Sequence, residues 1–159
     1  VILALFTGLR SSELFSLTWK HVDMLKGVAT INDRKSGDNL SVSLGSQSIK
    51  ILKNRSRLRV LGNDLIFINP NTGRAYGDLN ESLKNALRRA GIEKPGFSWH
   101  CLRHSCASLL ASQGFSLMEI ANHLGHKDLK SVQCYAHLAP DHNRITANAL
   151  DEHLAIVNL

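Results

Sequence analysis

A single hairpin signature constrains this chain more than any other feature of its sequence. Residues 27–32 (Gly-Val-Ala-Thr-Ile-Asn) and 40–44 (Leu-Ser-Val-Ser-Leu) alternate in character on either side of Ser36, Gly37, Asp38 and Asn39. Alternation with a period of two, around residues suited to a tight turn, is what two antiparallel strands require. A third short strand is expected at residues 65–68, ahead of the turn formers at residues 69–73 (Asn-Pro-Asn-Thr-Gly). Elsewhere apolar residues recur at helical spacing between glycines and capping residues. The fold expected is therefore mainly α with a small antiparallel β-sheet, of the α+β class.

The helical segments mark their own ends. After Gly8, residues 11–20 are expected to form a helix with Leu14 and Leu17 or Thr18 on one face. Asp78 and Glu81 read as the cap of a helix that carries Leu83 and Leu87 and closes at Gly91. Another is expected from Trp99 through Leu102, Cys106 and Leu109 to Gly114, and Ser116 with Glu119 forms a capping box for the next, which stops at Gly125. Residues 128–138 are expected to be one helix carrying Tyr135, and a last helix after Pro140 carries Ile145, Ala149 and Leu150. No linker rich in Pro, Gly or Ser divides the 159 residues, which read as a single domain, 1–159. The opening apolar run, residues 1–6, reads as the end of a helix; it lacks the basic lead and cleavage site of a signal peptide. No run is long enough to span a bilayer, so no membrane partner and a cytoplasmic location are expected.

Charge points to the kind of partner. The 19 Lys and Arg outnumber the 13 Asp and Glu, and the formal charge of +6 favours a polyanion. Cations cluster at Lys50, Lys53, Arg55, Arg57 and Arg59 and again at Lys84, Arg88 and Arg89, as a phosphate-facing surface requires. The three cysteines, Cys101, Cys106 and Cys134, are odd in number and suggest no disulfide framework; they are expected to be reduced and mostly buried.

Four clusters carry chemistry. Residues 7–14 (Thr-Gly-Leu-Arg-Ser-Ser-Glu-Leu) put Arg10 beside a glycine turn at the start of a helix. Lys35 lies at the hairpin tip. His100 and Arg103, three apart on one helix, can face one ligand. Leu124-Gly125-His126 sets a histidine at a helix junction nine residues before Tyr135. A phosphodiester under attack gathers negative charge on its non-bridging oxygens, which guanidinium forks at Arg10 and Arg103 match. Tyr135 is a nucleophile that needs activation, since a free phenol ionises near pH 10; His100 is the candidate base and Lys35 the candidate acid for the departing oxygen. His126 is placed to hydrogen-bond the phosphate.

In these clusters the chain resembles the tyrosine recombinase, or phage integrase, family over essentially its whole length. The resemblance implies a helical catalytic domain with a small antiparallel sheet, and an active site of Arg10, Lys35, His100, Arg103, His126 and Tyr135, with Glu13 supporting the first Arg. It implies cleavage and rejoining of DNA strands through a 3′-phosphotyrosine, with no cofactor and no metal. It also implies double-stranded DNA as partner, other recombinase subunits in a tetramer on DNA, a monomer for the chain alone, and an N-terminal DNA-clamping domain absent from these residues. Two other readings use the same residues: a type IB topoisomerase-like relaxing enzyme, and a catalytically inactive DNA-binding module. A zinc site built from His100, Cys101, His104, Cys106, His123 and His126 is disfavoured because no Cys-x-x-Cys or His-Glu-x-x-His spacing occurs. Tyr76, in a turn beside Gly77, is disfavoured as nucleophile.

Overall fold

A computed structural model of the protein describes residues 1–32, 39–77, 79–126 and 128–140, with residue 148 alone beyond them. Helices α1 (Ile2–Thr7) and α2 (Ser11–Phe15) lead into a three-stranded antiparallel sheet of β1 (Val22–Asp23), β2 (Val28–Ile31) and β3 (Leu40–Ser43). Then come α3 (Ser46–Ser56), α4 (Asn80–Arg89), α5 (Trp99–Ser112), α6 (Leu117–Leu124) and α7 (Lys130–Gln133). The expected fold class holds. Strands β2 and β3 pair in the register Ala29 to Val42 and Ile31 to Leu40, which puts those four side chains on the buried face. Lys35 and the hairpin tip, the Asp78 cap, and the segment with Ile145, Ala149 and Leu150 lie outside the described residues.

Helix α5 joins two cores. Its Leu102 belongs to the core under the sheet, with Leu3, Leu14, Val42 and Leu52, while its Cys106, Ala107 and Ala111 pack with Ile120, Leu124, Val132 and Tyr135. Phe15 anchors the first core with edge-on contacts to Trp99, Phe67 and Tyr76, at centroid distances of 5.1, 5.7 and 6.0 Å.

The helix expected over residues 11–20 stops at Phe15 because residues 64–66 take up the next backbone groups. Ile66 N–H donates to Leu17 O and Trp19 N–H to Asp64 O, both at 2.9 Å, and Thr18 bridges Leu65. For the same reason residues 65–68 do not join the sheet, whose third strand is β1. Helix α3 was not anticipated: Ser48 and Leu52 are its only buried residues, too few for a clear apolar stripe.

The basic stretch over α3 is only partly a free cationic surface. Arg55 Nε donates to Ile66 O at 3.0 Å and its guanidinium lies over Phe67, while Arg59 pairs with Asp64 at 3.2 Å and covers Trp19. Lys50, Lys53 and Arg57 are exposed. The helix expected over residues 128–138 breaks in its middle: Tyr135 N–H bonds Val132 O, three residues back, and a 3-10 turn (Ala136–Leu138) follows. That tightening turns the Tyr135 ring into the second core. Of the thiols only Cys106 is buried, Cys101 being half-buried and Cys134 exposed.

Candidate active site

Arg103 is the organising residue. It projects from α5 with only 3% of its surface exposed, and a buried guanidinium is costly unless its donors are met. Two backbone carbonyls at helix C-termini meet them: Nη1 donates to Gly8 O at 2.6 Å, and Nη2 to Leu124 O at 2.8 Å. The last carbonyls of a helix lack intrahelical partners and carry the negative end of its dipole, so they suit a cation. Both helices end in a left-handed glycine, Gly8 at φ 61° and Gly125 at φ 65°. The two glycine motifs singled out in the sequence thus build the Arg103 pocket.

His126 follows directly from that geometry. Its backbone N–H caps α6 on Ala121 O at 2.8 Å, and its Nε2 lies 3.0 Å from Arg103 Nη2. Arginine can only donate, so Nε2 accepts and the proton of this neutral ring resides on Nδ1. Arg10 stands at the start of α2, where the buried Glu13 carboxylate holds both its backbone N–H (2.9 Å) and its Nη1 (3.0 Å). The side chain of Arg10 remains 43% exposed, so Glu13 aims a guanidinium that is open to a ligand from solution.

The nucleophile candidate is packed in, not presented. Tyr135 is 7% exposed and its hydroxyl is hydrogen-bonded to His104 Nδ1. Burial pushes the phenol above its ordinary value near 10, with Cys134 adding to the rise and Arg103 opposing it. His100 does not make that contact in the described hydrogen bonds. It stacks edge-on against His104, with ring centroids 4.6 Å apart, and lies exposed beside the cationic groups. Burial first, then His104, Arg103 and Arg10, hold its imidazole below the usual histidine range. His100, His104, Arg103 and Arg10 therefore share one electrostatic environment, and Arg103 extends it to His126 and Tyr135. His104 is the residue that sequence reasoning passed over, although its place one turn after His100 was a usable signal.

The disfavoured alternatives lie elsewhere. Tyr76 packs its ring on Phe15. Among the described residues no group of three or more His, Cys, Asp or Glu is placed to hold a metal ion. Within the same residues no helix is long and apolar enough to cross a membrane.

Residues 1–142 match the sequence model described as the phage integrase family. The integrase of Salmonella phage P22 is 32% identical over 164 residues, an alignment that takes in 93% of this chain and 41% of the integrase. Tyrosine recombinase XerA of Saccharolobus solfataricus is 29% identical, over 87% of this chain and 45% of that protein. The chain thus spans less than half the length of these curated relatives. The solved catalytic domain of bacteriophage HP1 integrase superposes with a TM-score of 0.67 at 29% identity, covering 92% of this chain and 77% of that domain. XerH recombinase bound to its difH substrate, in a post-cleavage complex, superposes with a TM-score of 0.72 at 28% identity, covering 93% of this chain and 44% of XerH.

Proposed function

The chain belongs to the phage integrase family, and on that premise we propose that it is the catalytic domain of a site-specific DNA recombinase that cuts and rejoins strands through Tyr135. The observation that carries the reading is the convergence of the buried Arg103, His126, the His100–His104 pair and Tyr135 where α5, α6 and the turn after α7 meet. Its extent supports the domain assignment, since it matches most of the HP1 integrase catalytic domain but under half of the whole relatives.

In this reading Arg103 and Arg10 neutralise the non-bridging oxygens of a scissile phosphate, and His126 donates to the same group from Nδ1. The Tyr135 oxygen attacks phosphorus, the bond to the 5′-oxygen breaks, and Lys35 supplies the proton that lets that oxygen leave as a hydroxyl. The 3′-phosphotyrosine is still a phosphodiester, so attack by a 5′-hydroxyl reverses the step without a nucleotide. Double-stranded DNA is the partner, with a tetramer assembled on it and a monomer in its absence. The relatives named above are integrases and recombinases, which favours strand exchange over topoisomerase-like relaxation or mere DNA binding.

A duplex nicked next to the scissile phosphate tests the reading, because the short 5′-hydroxyl strand diffuses away and traps the intermediate. A covalent protein–DNA band on a denaturing gel is expected from the unaltered chain and not from Tyr135→Phe. An equal band from Tyr135→Phe would defeat the assignment.

A further inference from the structure

We propose that His104 is a catalytic residue, the base that takes the Tyr135 proton, in place of the His100 that the spacing of the motifs suggests. The inference rests on the reading of Tyr135 as nucleophile and deepens it. Three observations carry it. The Tyr135 hydroxyl is hydrogen-bonded to His104 Nδ1, so donor and acceptor are already in contact before substrate arrives. Tyr135 is 7% exposed, so protein packs round its ring and His104 is a hydrogen-bond partner that the fold itself supplies to the phenol. His104 itself is exposed, on the wall of a cleft of about 650 Å³ that it shares with Lys94, Cys101 and Ser105, so a proton received there has a way out.

The step balances. The Tyr135 O–H bond breaks as its oxygen bonds phosphorus, the proton passes to His104 Nδ1, and the 5′-oxygen leaves with a proton from elsewhere. Resealing returns the proton from His104 to the phenol oxygen. The required tautomer carries its hydrogen on Nε2, leaving Nδ1 as acceptor. His100 stacks on His104 from its own helix, Cys101 and the preceding loop's Lys94 share its cleft, and the Tyr135 ring lies against it from the turn after α7; Arg103 acts on both His100 and Tyr135, and Cys134 on Tyr135. The negative charge developing on the phosphate offsets the positive charge that His104 gains at the moment of transfer.

His104→Asn separates a base from a mere support, because an Asn side-chain oxygen occupies nearly the place of Nδ1 and accepts the same hydrogen bond but does not take the proton. With the nicked duplex in single-turnover conditions, His104→Asn and His104→Ala should both form adduct ~10²-fold or more slowly than the unaltered chain. Both should lose the fall in rate that protonation of the base produces on the acid side. Imidazole added to His104→Ala should restore part of the rate, more so at higher pH. Nitrogen-15 spectra of the unaltered chain should show His104 protonated on Nε2. A wild-type rate in His104→Asn would reduce His104 to a support and overturn the proposal; an unchanged acid limb in either variant, a hydrogen on Nδ1, or imidazole rescue confined to His100→Ala would also overturn it. Tyr135→Phe runs alongside: an adduct there defeats the nucleophile assignment itself, whatever the His104 variants do.

Discussion

Replacing Gly8 with Ala tests whether a tight backbone turn beside Arg103 holds the site together. Gly8 has φ 61°, a left-handed conformation that costs an L-residue roughly 1–2 kcal/mol. An added Cβ would lie 2.4 Å from Leu124 Cδ2 and 3.3 Å from Cys106 Sγ. The Leu124 methyl is the far end of a side chain, but Leu124 is 1% exposed and has little room to swing. Overpacking of this kind costs about 1–3 kcal/mol, so Gly8→Ala should destabilise by about 2–5 kcal/mol, a large share of a typical domain's stability. Gly8 O also accepts from Arg103 Nη1, so any backbone shift that relieves the clash moves the guanidinium. Adduct formation should therefore fall more than the folded fraction alone explains. Urea unfolding of Gly8→Ala, Leu124→Ala and the double variant isolates the clash. Because Leu124→Ala removes the methyl in the way, the double variant should cost less than the sum of the singles by about 1–3 kcal/mol. Strict additivity, or a Gly8→Ala chain as stable and active as the original, would refute the reasoning.

Other residues give separable outcomes. Arg103→Lys should lose at least ~10²-fold in adduct formation, because one ammonium cannot span Gly8 O, Leu124 O and His126 as the guanidinium does. It should also lower thermal stability, since a buried carbonyl left unmet costs roughly 1–3 kcal/mol; a wild-type melting curve would contradict this. Lys35→Ala should cleave ordinary DNA poorly and recover on a substrate with a 5′-bridging sulfur, since a thiolate leaves without a proton. Rescue in a variant of the adjacent cation, Arg34→Ala, instead would move the acid to that residue. Cleavage should persist in EDTA, the arginines supplying the charge neutralisation that metal ions give other phosphoryl-transfer enzymes; loss in EDTA restored by magnesium would count against it.

The parts legible in the sequence are those written in local chemistry. Helix α6 was bracketed correctly because Ser116 and Glu119 cap each other reciprocally and Gly125 ends the helix in a conformation that suits glycine. The β2–β3 pairing followed from alternation about one turn. What failed depended on distant partners: residues 64–66 recruit residues 17–19 out of a helix, and nothing near Phe15 announces it. At the site, spacing put His100 and Arg103 on one face but carried no information on burial. Only tertiary structure shows that Arg103 lies among helix-end carbonyls and that the Tyr135 turn brings its hydroxyl to His104.

The central claim, that the chain becomes joined to DNA through Tyr135, is tested most directly by mapping the adduct. After the nicked duplex has trapped the intermediate, protease digestion and mass spectrometry identify the nucleotide-bearing peptide, and end-labelling identifies the DNA terminus. The account predicts a peptide containing Cys134-Tyr135-Ala136, linked to the 3′-phosphate of the cleaved strand. Attachment at Tyr76 or at a serine, or linkage to a 5′-phosphate, would contradict it.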